Sequence, residues 1–217
     1  MDVMSSDTPQ AIAPRDTYVY VDGFNLYYGA LYKKTAGYKW LDLQSLCQKL
    51  FPSNNVIKIK YFSARVSGKY DVDKPVRQSV YWRALKTIPN LEIIEGRFLL
   101  VRQKIHITRE VDISGVVPKE KGTDVSLATH LVNDAHLHQF QTAIIISNDS
   151  DLAEAIRIVT EELHLSVGVA NPFQRFNKEI FEYASFKKKV RNGVIIKSQF
   201  PPILNDVNGA FGKPPKW

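Results

Sequence analysis

Cysteine is almost missing from this chain of 217 residues, Cys47 being the only one. It therefore holds neither an internal disulfide framework nor a cysteine-rich zinc site, and Cys47 reads as a small buried residue on a helix. Long apolar runs are missing too: no stretch approaches the roughly 18–20 residues that cross a bilayer. The opening MDVMSSDTPQAIAPRD has neither the basic start nor the hydrophobic stretch of a secretory signal. The expectation is a soluble, cytoplasmic protein with no membrane partner. No Walker A loop, GxSxG elbow or GxGxxG turn occurs, which argues against an NTPase, a serine hydrolase or a dinucleotide enzyme. Asp22 is followed by Gly23 and Phe24, so the DxD nucleophile of a haloacid-dehalogenase-type phosphatase is lacking as well. Acidic residues are in deficit, 22 against 29 Lys and Arg, a net charge of +7 that favours polyanionic partners.

What is present is an ordinary globular composition, 44% hydrophobic and 24% charged, enough for one core. Residues 1–16 carry no sustained apolar period and read as a flexible arm. From Thr17 the pattern alternates. A β-prone run at 18–21, the turn Asp22-Gly23-Phe24-Asn25 and a helix to Lys34 come first, then a helix at 41–51 and a strand at 56–62. Pro75 opens a helix to about Thr87, and a strand follows at 91–95. The stretch 96–118 reads as an inserted antiparallel hairpin, made a basic flap by Arg97, Arg102, Lys104 and Arg109. Helices at 124–136 and 152–163 then alternate with strands at 143–146 and 165–169. Such alternation predicts an α/β fold with a mainly parallel sheet covered on both faces. Residues 186–217, rich in Lys, Pro and Gly, read as a basic, loose tail, which leaves 17–185 as the single domain.

Three segments carry the chemistry: Val21-Asp22-Gly23-Phe24-Asn25, Lys121-Gly122-Thr123-Asp124 and Ile146-Ser147-Asn148-Asp149-Ser150-Asp151. Each acidic group sits at a strand end or helix start, and in an open parallel sheet those ends face one crevice. Asp124 leads Ala128, Leu131 and Ala135 at helical spacing, extending a buried stripe toward that crevice. Taken singly, each aspartate also reads as a helix N-cap. Together, Asp22, Asp124, Asp149 and Asp151 would repel one another unless a cation neutralised them. A donor set made only of oxygens favours Mg²⁺ or Mn²⁺ over zinc. Such ions serve in-line attack on a phosphodiester.

At these motifs, over residues 17–185, the chain resembles a NYN domain of the PIN-like nuclease superfamily, in the LabA-like group. The resemblance implies a three-layer α/β/α sandwich and metal-dependent endoribonuclease activity. It also implies that Asp22, Asp124, Asp149 and Asp151 form the metal-binding acidic site, with Asn25 and Ser147 as orienting groups. Many relatives carry a further acidic residue in the helix after KGxD, where this chain has His130.

Arg65, Arg102, Lys104, Lys119 and Lys121 are the cations expected to rim the crevice and neutralise RNA phosphates. Tyrosines such as Tyr27, Tyr28 and Tyr61 lie near in sequence, though none is singled out as a base-binding residue. The expected partner is RNA, single-stranded or with exposed loops, and completion of the crevice by a second copy or a protein partner stays open. The rival reading is a nucleic-acid-binding regulatory module with little or no catalysis.

Overall fold

The computed structural model describes residues 13–32, 38–69, 71–106, 112–215 and 217, and only the backbone at 98–106 and 112–121. The N-terminal arm expected over 1–16 lies outside the described residues up to residue 12, and from Arg15 the chain is already a strand. The elements follow in order: β1 (Arg15–Asp22), α1 (Gly23–Leu26) continued as π-helix through Tyr27–Leu31, α2 (Leu43–Leu50), β2 (Asn54–Ala64), α3 (Lys74–Leu85), β3 (Leu91–His106) and β4 (Asp112–Lys121). Next come α4 (Thr123–His136), β5 (Thr142–Ile146), α5 (Ala153–Arg157), β6 (Ser166–Asn171), α6 (Lys178–Glu182) and β7 (Phe186–Lys189). The last are α7 (Asn192–Ile196), β8 (Ile203–Asp206) and β9 (Gly209–Gly212).

The main sheet runs β4-β3-β2-β1-β5-β6-β7. Every neighbouring pair is parallel except β3 with β4. The expected hairpin is therefore present, but its first strand is not separate. β3 pairs with β2 over Leu91–Gly96, then continues alone as the inner arm of the antiparallel ribbon from Arg97 opposite Lys121 to His106 opposite Asp112.

Strand alternation divides the interior. Val19 and Val21 of β1, Ile59 of β2 and Ile144 and Ile146 of β5 point to one core with α2, α3 and α7. Tyr20, Phe62, Ile145, Val167 and Val169 point to the other, under α4, α5 and α6. This is a three-layer α/β/α sandwich, each fully buried Ile or Leu worth roughly 1.5–3 kcal/mol. Cys47 lies buried in α2, where desolvation pushes its thiol up to about 12. Among the described residues no helix is long and apolar enough to cross a membrane.

Two expectations need correction. On α4 the buried positions are Thr123, Leu127, Leu131, Asp134 and Ala135, so the core stripe centres on Leu127 and Leu131. Asp124 lies half-buried at its margin, beside Thr123 rather than on the stripe. The loose tail expected after residue 186 is largely ordered. β7 extends the sheet beside β6, and Phe200 packs on Trp40 with ring centroids 5.7 Å apart. The β8–β9 hairpin is held by a two-pronged contact from Arg83 to Asp206, both at 2.6 Å. Aromatic and aliphatic residues spaced among Lys, Pro and Gly, notably Val190, Ile195, Phe200 and Phe211, supply the packing that the composition concealed.

Candidate metal centre

β2 and β3 lie on one side of β1, and β5, β6 and β7 on the other. The strand order thus reverses between β1 and β5, and at such a point an open sheet leaves a crevice beyond its strand ends. Val21 stands opposite Ile146, which brings Asp22 and Ser147, the next residues on each chain, to the same rim. The turn after Asp22 tolerates only glycine: a Cβ at Gly23 would lie 2.6 Å from the Tyr61 ring and 2.8 Å from the Phe62 carbonyl oxygen.

Asp22 is 3% exposed, and its carboxylate is held from two sides. Oδ1 accepts from the Asn25 backbone N–H at 2.9 Å, capping α1, while Oδ2 accepts from the Ser147 hydroxyl at 3.0 Å. Ser147 Oγ in turn accepts from the Asp149 N–H at 3.2 Å, and Asn25 Oδ1 accepts from the Asn148 N–H at 2.8 Å. Asp149 Oδ1 accepts from the Asp151 N–H at 3.1 Å, capping a short 3₁₀ turn at Ser150–Leu152. The capping reading and the clustering reading thus hold together, because an ionised carboxylate has about four acceptor positions and a cap occupies one. Asp124 arrives on the first turn of α4, after Gly122 has turned the chain with φ of 92°, a conformation costly for any residue with a Cβ.

Asp22, Asp124 and Asp149 each offer a carboxylate oxygen within 4.8 Å of the others. Asp151 is not in that group. It is exposed, and it lines a shallow groove with His136 and Glu154, because the 3₁₀ turn carries its side chain away from that of Asp149. His130 is elsewhere too, 3.2 Å from Lys60 Nζ and edge-on to the Phe62 ring. Arg65 is exposed, paired with Glu95 at 3.0 Å and stacked over Trp82. Arg102, Lys104, Lys119 and Lys121 lie on the β3–β4 ribbon, and their side chains lie outside the described part of the structure.

The trio is electrostatically tense. Burial, then the nearby Asp124 and Asp149 charges, push the Asp22 carboxyl up to about 7 against the lowering pull of Asn25 and Ser147. A folded pKa above the unfolded 3.8 means that the stability from protonated Asp22 is complete below about 4 and is lost as pH rises through about 7. A hard cation among the carboxylates would reverse that loss. Thermal unfolding is expected to show Mn²⁺ or Mg²⁺ raising the midpoint at pH 8 and much less at pH 5. An equal midpoint with cation and with EDTA at pH 8 would count against the cluster as a cation site.

Sequence reasoning did not find two features. One is a buried network in the second core, where Lys60 and the Tyr20 hydroxyl both donate to Asp134 Oδ2, at 2.6 and 2.7 Å. The other is a cavity of about 500 Å³ whose wall includes Gly23, Phe24 and Tyr61. Two lysines in the alternating strand 54–64 and an acidic residue in the last turn of α4 were the only hints of the first.

A mainly parallel sheet with helices on both faces and carboxylates gathered at its switch point defines a protein of the α/β class. The chain belongs to the NYN domain family, whose model matches residues 16–186. It is similar to 6-hydroxy-3-succinoylpyridine 3-monooxygenase HspA of Pseudomonas putida (strain DSM 28022 / S16), 28% identical over an alignment 239 positions long that covers 94% of this chain and 76% of that protein. Among solved structures it is similar to a protein of unknown function, VPA0982, from Vibrio parahaemolyticus RIMD 2210633. The TM-score is 0.57 at 14% identity, with 84% of this chain and 97% of that one covered. At such identity the likeness speaks for the fold alone.

Proposed function

We propose that this chain is a metal-dependent endoribonuclease of the LabA-like group, hydrolysing phosphodiester bonds in single-stranded or exposed RNA. The observation that supports this best is the approach of Asp22, Asp124 and Asp149 to within 4.8 Å at the switch point. Three carboxylates there fit Mg²⁺ or Mn²⁺, since all donors are hard oxygens and one is buried. When bound, such an ion supplies positive charge to a phosphate oxygen and lowers the pKa of water. The protein's own residues do the rest. Asn25 and Ser147 fix the direction of the Asp22 carboxylate, the cap to Asp151 N–H fixes that of Asp149, and Asp124 rides on a rigid helix start. The surplus of cations draws the RNA backbone in, so binding weakens with salt. The catalytic unit is residues 17–185, and the packed segment from Phe186 onward completes its first core.

The test is cleavage of a labelled single-stranded RNA and its DNA counterpart in Mg²⁺, Mn²⁺ or EDTA, with identically prepared Asp124→Asn protein as the blank. Cleavage of RNA that requires the cation and is missing from the blank supports the proposal. Binding without cleavage under every condition would replace it with a regulatory RNA-binding module. A second reading follows from the alignment over 94% of this chain with a protein named as a monooxygenase. Turnover of 6-hydroxy-3-succinoylpyridine by this protein, with no RNA cleavage, would favour it.

A further inference from the structure

We infer that the cavity beside the aspartates is a nucleotide subsite, seating one unpaired base against its aromatic wall with the attached phosphate at its cationic edge. The inference rests on the nuclease reading for the identity of the strand.

The cavity begins at the residues that follow Asp22, since Gly23 and Phe24 line it. From there Phe24, Tyr28 and Tyr32 follow one another at four-residue spacing along the helix. Phe24 and Tyr28 stack at 6.5 Å with an interplanar angle of 17°, and Tyr28 and Tyr32 meet edge-on at 5.5 Å. Large aromatics usually bury themselves, yet Tyr28 is 50% and Tyr32 52% exposed. About half of each residue is thus accessible to a ligand, and an aromatic ring can stack with any base, because every base has a π-face.

Cations outnumber carboxylates among the side chains that line the cavity. Among the described residues, the side chains of Lys39, Lys74 and Arg77 line it with one side-chain carboxylate, that of Asp71. Arg77 is bound to Asp71 and lies 3.8 Å from Asp73. Among the described residues Lys39 and Lys74 have no carboxylate partner, and Lys39 sits over the Tyr27 ring at 5.9 Å. Burial and the neighbouring Arg77 pull the Lys39 ammonium below its ordinary range, a cost that an anion would relieve. Trp82 adds a further aromatic residue to the wall. Aromatic side chains and lysines without a carboxylate partner, next to an acidic cluster, match the parts of one nucleotide. A volume of about 500 Å³ lies within the range of small-ligand clefts. A base locked in a duplex has no free ring face to offer, so the subsite confers a preference for unpaired RNA.

Binding, not cleavage, tests this. In EDTA, the anisotropy of a fluorescein-labelled single-stranded RNA decamer and of its blunt duplex would be followed for wild type, Asp124→Asn, Tyr28→Ala and Lys74→Gln. Because both altered cavity residues are part-exposed, circular dichroism and the unfolding midpoint establish that these variants fold. The single strand is expected to bind at least about tenfold tighter than the duplex. Tyr28→Ala should weaken it roughly 5- to 100-fold, as loss of one stacking platform does. Lys74→Gln should lower the salt slope by about 0.7, the value for one phosphate contact on a single strand. Equal binding by folded Tyr28→Ala and wild type overturns the inference. So does saturable binding of nicotinate, a free aromatic acid, with none of AMP, GMP, CMP or UMP. Because the readout is binding in EDTA, an absence of cleavage in Mg²⁺ or Mn²⁺ leaves this result standing. Active cleavage with unaltered Tyr28→Ala binding sinks the subsite alone.

Discussion

Asp124→Asn and Asp149→Asn are each expected to lower RNA cleavage by at least about 100-fold with the fold retained. Partners that only orient a metal ligand already cost 10–100-fold when removed, so a carboxylate that holds the ion should cost no less. The amide keeps the shape of the side chain and discards its charge. In Asp149→Asn the amide oxygen still accepts from the Asp151 N–H, so the cap survives. Either change also relieves the repulsion that raises the Asp22 carboxyl. The cation-free variants should accordingly unfold at or above the wild-type temperature at pH 8, while losing the gain in midpoint that Mn²⁺ gives. Activity lost without stability lost is the signature of a chemical role. Asp151→Asn, exposed and outside the trio, should stay within a few-fold of wild type. Full cleavage by the Asp124 and Asp149 variants, with contaminating nuclease excluded, would remove the trio from the chemistry.

Lys60→Met is expected to cost about 3–5 kcal/mol of folding stability, as deletion of one partner of a buried ion pair does. Lys60 and Asp134 are 8% and 6% exposed, and the Lys60 ammonium reaches Asp134 Oδ2 at 2.6 Å. Without Lys60 the carboxylate keeps, among the described residues, the Tyr20 hydroxyl, a neutral donor whose own ionisation is suppressed by burial and by Asp134. Joining Asp134→Leu to Lys60→Met removes the stranded charge and should recover most of the loss, short of the roughly 1–3 kcal/mol for an unsatisfied Tyr20 hydroxyl. Urea unfolding of both single variants and of the pair measures this as a coupling energy. A single-variant cost below about 1 kcal/mol would mean that water reaches the pair.

The strand–helix alternation was legible because fully buried runs such as Ala143–Ile146 admit no other reading once turn residues bound them. Convergence of Asp22, Asp124 and Asp149 followed from the same alternation, since parallel strands put their carboxyl ends on one side. What local pattern could not reach was direction within a short turn. Asp149 and Asp151 are two residues apart and look equivalent in the sequence, yet a 3₁₀ turn sends one into the cluster and the other to solvent. Pairing across the sheet was equally hidden. Lys58 and Lys60 stand two residues apart and share one face of β2, yet Lys58 pairs with Glu92 on the neighbouring strand while Lys60 lies buried against Asp134 of α4. Tail order escaped for a related reason, because Phe200 and Phe211 stand among residues typical of loops.

The placement of β1 between β2 and β5 has a consequence for the order of assembly. β2 is a near neighbour in sequence, but the bond from Ser147 to Asp22 closes a separation of 125 residues. Closing so long a loop is entropically late and slow. The carboxylates cannot meet until β5 docks, so the repulsion among them arises only once that central strand is in place. A cation that binds only the closed cluster should then slow unfolding and leave the refolding rate unchanged. The ion would act as a latch on the finished molecule, with no part in guiding the chain toward it.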